Sequence, residues 1–422
     1  MTNRPESRQR QTSNSRLFYG YILVATAFVI QMVVWGISNT YGVFFFNPLL
    51  DEFGWSRATI SGAASLSQIL VGLGAIVLGN LNDRLDPRML MTFCGTLIGL
   101  GIFLMSQLNS VWQLYLFYGV IAGIGISGTD VVLLSTTARW FIKRRGMMSG
   151  IVKMGAGVGM MTLPLVAAWL ISDYGWRTSY IIIGISLFIC IVSGAQLLRR
   201  DPAQMQQLPD GQETGHTANV NPIETGLSLT QAIHTRQFWM LCFAYLTIFF
   251  CVNTIIVHIA PYVVDVGFHA SFAATVMAAI GGASIIGRLI MGITGDKIGS
   301  KRALLICFII LIAALSELQL AAGLWTLFLF AIVCGFCHGG FFALISPTVA
   351  EFFGTRSHGL ILGIVIFSGS VGGSLGPLVT GHIFDITASY RVAFLLLISL
   401  AIAGFILILS SGSAERKVMS QT

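Results

Sequence analysis

Charge is what this sequence has least of. Only 10% of its 422 residues are Asp, Glu, Lys or Arg, while 55% are hydrophobic and the mean hydropathy is +0.82. Soluble domains carry about 25% charged residues because their surfaces face water, so a soluble globular protein is excluded. A transmembrane β-barrel is excluded as well. Its strands alternate lipid-facing and lumen-facing residues, whereas apolar residues here run in blocks of about twenty. Cysteine is scarce in the places where a disulfide framework needs it: Cys94, Cys190, Cys242, Cys251, Cys307, Cys334 and Cys337 all fall inside apolar runs. Met1 to Arg16 have neither an apolar core nor a cleavage site, so residues 1–18 read as a cytoplasmic tail and the first span as its own insertion signal.

What is present is a series of twelve apolar stretches, at 19–48, 58–80, 89–107, 112–138, 147–172, 178–198, 238–264, 271–293, 303–321, 323–350, 359–384 and 391–411. Each is long enough for a membrane-crossing helix. The expected fold class is therefore an all-α membrane protein of twelve transmembrane helices. One long hydrophilic segment, 199–237, has too little apolar surface to fold alone and reads as a cytoplasmic linker. It separates a first half, 19–198, from a second, 238–411, with a cytoplasmic tail at 412–422. With both termini inside, nineteen Lys and Arg lie in cytoplasmic segments and only Arg57, Arg177 and Arg391 lie outside. Basic loops stay in the cytoplasm, so this bias predicts a multi-pass protein of the cell (inner or plasma) membrane with both termini cytoplasmic. The net charge of +7 is then a topology signal and calls for no nucleic-acid partner.

The two halves repeat one another. Gly79, Asp83, Arg84 and Arg88 recur as Gly292, Asp296, Lys297 and Lys301, each displaced by 213 residues. The same shift carries Gly54 onto Gly267, Gly146 onto Gly359, Gly150-Ile151-Val152 onto Gly363-Ile364-Val365, and Pro164 onto Pro377. Two six-helix halves of equal orientation, related by an axis along the membrane normal, place a substrate site between them near the midplane.

Gly79-Asn80-Leu81-Asn82-Asp83-Arg84-Leu85-Asp86-Pro87-Arg88 and its second copy, Gly292 to Lys301, resemble the loop 2/3 signature of the major facilitator superfamily, with Asp86 where a glycine is usual. The resemblance extends over nearly the whole chain. It implies that Gly79, Asp83, Arg84, Arg88, Gly292, Asp296, Lys297 and Lys301 form charge-dipole latches, closing the cytoplasmic side in the outward-open state. Phe53-Gly54-Trp55-Ser56-Arg57, Arg139-Trp140-Phe141, Gly175-Trp176-Arg177 and Arg236-Gln237-Phe238-Trp239 are similar to the monocarboxylate porter and oxalate/formate antiporter branch. That resemblance implies a secondary active transporter of small organic anions, most directly a proton-coupled carrier of lactate-like or pyruvate-like monocarboxylates. The alternatives are a carboxylate exchanger, for oxalate, formate or dicarboxylates, and more remotely a transport-dead membrane sensor. An enzyme is not expected, since no nucleophile-base constellation, metal cluster or phosphate loop is present, and no cofactor or metal follows. The expected partners are a small carboxylate, protons and the lipid bilayer, and the protein is expected to function as a monomer.

An ionisable residue inside a span is expensive and therefore a functional candidate. Arg288 lies eight residues before Asp296, roughly 12 Å inside the cytoplasmic end, where its guanidinium suits anchoring a carboxylate. The branch's span 8 arginine occupies this place, but Ser284 stands where many of its members carry an aspartate. Asp130 and Lys153 sit at depths that differ by about 6 Å, within reach of a lysine stem, so they are expected to pair. Such a pair either couples a proton to a conformational change or is a static ion pair, and Lys153 is also a candidate second contact for a dicarboxylate. His258, Asn39, Asn253 and Tyr41 are candidate substrate contacts, each with helix packing as its alternative. Glu317 is expected at the periphery, and His338 either in the cavity or in packing. Gly123-Ile124-Gly125-Ile126-Ser127-Gly128 and Cys334-Gly335-Phe336-Cys337-His338 match dinucleotide and haem patterns, but both lie inside spans, where close helix packing explains them.

Overall fold

A computed structural model describes residues 18–40, 46–205, 207–211, 226–320 and 323–412. The helices are α1 (Tyr19–Thr40), α2 (Phe46–Phe53), α3 (Arg57–Arg84), α4 (Pro87–Leu104), α5 (Val111–Leu114), α6 (Gly123–Trp140) and α7 (Arg145–Ala195) in the first half. The second half holds α8 (Leu229–Ile233), α9 (Arg236–Asp265), α10 (Ala270–Ile298), α11 (Ser300–Leu320), α12 (Leu324–Phe353), α13 (His358–Thr387) and α14 (Arg391–Ser410). Among the described residues the sole β pairing is an isolated bridge between Gly226 and Gly354. Between its ends a helix satisfies its backbone groups within itself, which is what hydrocarbon demands of a spanning segment.

Eleven helices among the described residues are long and apolar enough to cross a membrane, rather than twelve. The difference lies in α7. Its 51 residues would reach about 76 Å if straight, more than twice a bilayer core. Gly175, at φ 74° and ψ 163°, breaks it into two crossings. The loop expected between 172 and 178 is thus one glycine, the residue that reaches positive φ without a Cβ penalty. Beyond it the chain returns beside α4, where Gly184 leaves room for Phe103 and the Arg88 guanidinium donates to the Leu198 carbonyl at 2.8 Å. α5, a π-helical stretch (Tyr115–Ala122) and α6 together make one span.

Glycine lets these helices come into backbone contact. A Cβ on Gly159 of α7 would sit 1.9 Å from the Met32 carbonyl of α1, and one on Gly372 of α13 would sit 2.1 Å from the Leu246 carbonyl of α9. Gly125 packs in the same way on the Cys94 carbonyl and Gly335 on that of Ile280, so both cofactor-like sequences are helix-packing surfaces. Between the halves, Gly79 meets the Gly359 carbonyl and Gly146 meets the Gly292 carbonyl, with Cβ clearances of 2.3 and 2.4 Å. Shifting either contact by 213 residues gives the other.

These crossings gather at the end of the bundle that carries Asp83 and Asp296. Farther along α7 burial persists through Gly159, while Met160 and Met161 are exposed, and in α10 the Cβ positions of Gly281 and Gly282 meet nothing within 4 Å. The halves therefore touch at this latch end and part beyond the middle. At the opposite end of the first half, the two aromatic motifs meet. Phe53 stacks on Trp55 at 4.4 Å, the Trp176 indole donates to Glu52, and Arg177 forms an ion pair with Glu52 while covering the Trp176 ring. Hydrogen bonds from Arg177 and Trp176 hold the Glu52 carboxyl below its ordinary range. A lowered carboxyl stabilises the fold above its unfolded value and loses that contribution as pH falls, so this clamp persists in mildly acid medium.

Gly359→Val should destabilise the closed latch end by about 1–3 kcal/mol, the usual effect of overpacking, and hydrogen exchange of residues 355–362 should speed up. Gly281→Ala faces open space within a helix and should leave that exchange unchanged.

Candidate functional site

α6 and α7 carry Asp130 and Lys153 toward one another because both helices are anchored at the latch end by the short turn 141–144. The Lys153 ammonium donates to Asp130 Oδ1 at 2.6 Å. Gln31 and Trp35 of α1 donate to the same oxygen at 2.7 and 3.3 Å. Lys153 is 3% exposed, with its ammonium 5.5 Å from the Trp35 ring and 5.4 Å from the Phe342 ring of α12. All three donors meet at Oδ1, none at Oδ2, and the aspartate side chain remains 16% exposed. The pair expected from helix depths is therefore present, and α1 supports it with two residues that the sequence reading left unassigned.

Arg288 of α10 approaches from the other half. Its Nη1 donates to the Lys153 carbonyl at 3.0 Å, across the midline. Gly157 makes room for it, since a Cβ there would lie 2.4 Å from Nη1. The residue is 4% exposed, its Nε has no partner, and no carboxylate within the described residues pairs with it. Two more polar atoms nearby are buried and unsatisfied, Gln31 Oε1 and His338 Nδ1. The His338 ring lies 5.0 Å from Phe342, itself 4.9 Å from Phe249, and the charges of Arg288 and Lys153 both act on it. Buried polar atoms are normally satisfied, and unsatisfied ones occur elsewhere in the bundle too, at Asn82 and Thr129 among others, so here they mark a polar surface around the ion pair. Formal charges on Arg288, Lys153 and Asp130 leave an excess of +1.

The other candidates distribute differently. Asn253 donates to the Phe249 carbonyl of its own helix and leans on Gly373 of α13. His258 has both nitrogens engaged, by the Tyr390 hydroxyl at 3.4 Å and the Pro377 carbonyl at 3.0 Å, so its contacts tie α9 to α13 and α14. Tyr41 lies outside the described residues, as does the side chain of Asn39 at the end of α1. Ser284 bonds to the Gly281 carbonyl within α10.

At the latch end, Asp83 accepts from the amides of Gly359 and Leu360, both at 3.0 Å, in the first turn of α13. Asp296 accepts from Gly146 and Met147, at 2.6 and 2.8 Å, in the first turn of α7. Each carboxylate satisfies free amides and the positive end of a helix belonging to the other half. Arg88 and Lys301 are placed elsewhere: they donate to the carbonyls of Leu198 and Ser411, within their own halves and again 213 residues apart. Arg84 and Lys297 are exposed. The cation that does join a latch is Arg139, 2.8 Å from Asp83. It was noted in the sequence only as part of a motif. Its counterpart at the 213-residue shift is Phe352, so the two latches are chemically unequal.

A family model described as Major Facilitator Superfamily matches residues 23–316 and 265–419. The chain belongs to the Major Facilitator Superfamily. Among its curated relatives in the superfamily, monocarboxylate transporter 13 of Rattus norvegicus is 26% identical over 400 residues, covering 93% of this chain and 88% of that protein. Among solved structures, the human organic anion transporter MFSD10 superposes with a TM-score of 0.71 at 14% identity, covering 92% of this chain and 99% of that one. The transporter FucP in its outward conformation superposes with a TM-score of 0.68, also at 14% identity, covering 93% and 99%. These structures share the fold of the superfamily. The chain is thus a membrane transporter and not an enzyme.

Asp130→Asn should cost roughly 3–5 kcal/mol of stability by leaving Lys153 buried and unpaired, and adding Lys153→Met should restore most of it. Thermal unfolding of the single and double variants measures this coupling. Asp83→Asn should lower stability more than Asp296→Asn, by about 1–3 kcal/mol, because only the former strands a buried arginine. Equal losses would refute the inequality of the latches.

Proposed function

We propose that the protein carries small monocarboxylates of the lactate or pyruvate kind across the cell membrane by alternating access, with a proton as co-substrate. The observation that carries this reading is Arg288, a buried guanidinium that bonds one main-chain carbonyl and forms no ion pair among the described residues. A guanidinium binds a carboxylate through two parallel charge-assisted hydrogen bonds. The names of the relatives, monocarboxylate transporter 13 and an organic anion transporter, support the same substrate class.

Asp130 is the proposed proton carrier. While it is ionised, Lys153 is committed to it. When it is protonated, the ammonium loses its counter-ion and turns to the incoming anion, so proton and carboxylate enter together and the net charge of the buried site is unchanged. His338 borders this group as a secondary contact, and His258 serves as a structural tie. With the basic loops inside, the latch end is the cytoplasmic side and the conformation described here is outward-open. The ion pair and both latches lie within one chain, in keeping with a monomer as the working unit.

Uptake of lactate and pyruvate into proteoliposomes tests the reading. An inward proton gradient should drive accumulation, and Arg288→Ala should weaken binding by about 100-fold, the ~3 kcal/mol of a charge-assisted bidentate contact. Asp130→Asn should lose the response to the proton gradient while exchange continues. Uptake driven only by internal anion, indifferent to pH, would make the protein an exchanger, and Arg288→Ala at full affinity would remove that residue from the site.

A further inference from the structure

A histidine that neither the latches nor the ion pair employs lies completely buried where the halves meet. His358 is the first residue of α13, and each of its ring nitrogens has a partner on a different helix. Nε2 faces the Ser346 carbonyl of α12 at 3.1 Å, within its own half. Nδ1 faces the Ser135 hydroxyl of α6 at 3.1 Å, across the divide. Ser346 crosses the same divide, its hydroxyl donating to the Leu134 carbonyl at 3.4 Å. A carbonyl can only accept, so Nε2 carries the hydrogen and Nδ1 receives the Ser135 hydroxyl, which satisfies a neutral ring on both sides. A second proton has no such place. On Nδ1 it would force Ser135 to turn from donor to acceptor and would put a positive charge into a contact closed to water. The charges that act on the ring are Arg139 of α6 and Arg145 at the start of α7, both positive, whereas the latch carboxylates Asp83 and Asp296 are engaged by helix amides.

We propose that His358 is a switch through which acid on the latch side opens the latch. In the closed latch the ring is neutral and bridges the halves. Parting the halves breaks the Ser135 contact and gives the charged ring room for water. The open state therefore binds a proton that the closed state refuses, and by linkage the proton favours the open state. Above the ordinary histidine value of about 6.5 the closed latch keeps its full weight, and as pH falls through that value the balance moves toward the open state. For one such group, going from pH 7.5 to 5.5 raises the ratio of open to closed about tenfold. With the latch end cytoplasmic, a proton delivered there delays the return to the outward-open state. That consequence rests on the proton-coupled reading above, whereas the switch itself needs only alternating access.

The test uses the full-length protein in nanodiscs without substrate. Nitroxide labels at Arg84→Cys and Lys297→Cys, one exposed position on each half, report the separation of the halves by pulsed electron paramagnetic resonance. Six native cysteines are buried, and Cys190→Ser removes the seventh from labelling. The long-distance population should grow about tenfold relative to the short one between pH 7.5 and 5.5. His358→Gln should abolish this response and keep the short distance at both pH values, because an amide donates to Ser346 and accepts from Ser135 without titrating. His358→Asn takes its place if the longer side chain fails to fold. Asp130→Asn combined with Lys153→Met should retain the response, which separates the switch from the proposed proton carrier. A ratio indifferent to pH, a response that survives in His358→Gln, or one lost in the Asp130→Asn, Lys153→Met protein overturns the proposal. Because the measurement contains no carboxylate substrate, a failure of lactate and pyruvate uptake leaves it standing.

Discussion

Two carboxylates seated on the first turns of two helices join the halves of this molecule. Asp83 reaches from the first half to α13 and Asp296 from the second half to α7, each accepting two amides that the helix itself cannot satisfy. Because a helix start carries a partial positive charge, the contact combines hydrogen bonding with a charge-dipole attraction. The backbones approach this closely only because Gly79, Gly146, Gly292 and Gly359 lack a Cβ at the crossings. Were the carboxylates to leave, those amides would be exposed together with the glycine faces. The opening motion of a transporter therefore has a definite set of bonds to break.

The buried ion pair depends on that closure. Arg288 bonds to the Lys153 carbonyl across the two halves, and Gly157 is the gap that admits it. That contact joins the two halves, so separating them at the latch end breaks it. The state of the site and the state of the latch are thus coupled through α7 and α10, which carry elements of both. Two sites that share rigid helices in this way bias one equilibrium rather than acting separately.

The halves are copies in fold and not in chemistry. Arg88 and Lys301 perform the same task at equivalent places, tying the Leu198 and Ser411 carbonyls at the ends of α7 and α14. Arg139 has Phe352 as its counterpart, so Asp83 forms an ion pair with an arginine at 2.8 Å whereas Asp296 feels Arg145 at longer range. Asp130 and Lys153 likewise belong to the first half alone, where α1 supplies Gln31 and Trp35 to hold them. Symmetry sets up the scaffold and the latch carboxylates, and its violations carry the buried ion pair and Arg139.

The sequence by itself determined the helical spans, the two-fold repeat and the depth of each intramembrane charge. Apolar length and residue spacing are properties of the chain in one dimension, and hydrocarbon admits few structures for them. The expected Asp130 and Lys153 pair was legible because both residues are counted from one short turn. Contacts that depend on the rotation of a helix about its own axis were not legible. Whether Gln31 and Trp35 turn toward Asp130, whether His258 meets a ligand or Tyr390, and whether Arg84 or Arg139 meets Asp83 are settled by packing against neighbours far along the chain. The folding of α7 at Gly175 belongs to the same class, since an apolar run does not state how tightly it turns. Only the tertiary structure brought Ser135 and His358 together, because segments 223 residues apart meet there through the closure of the two halves.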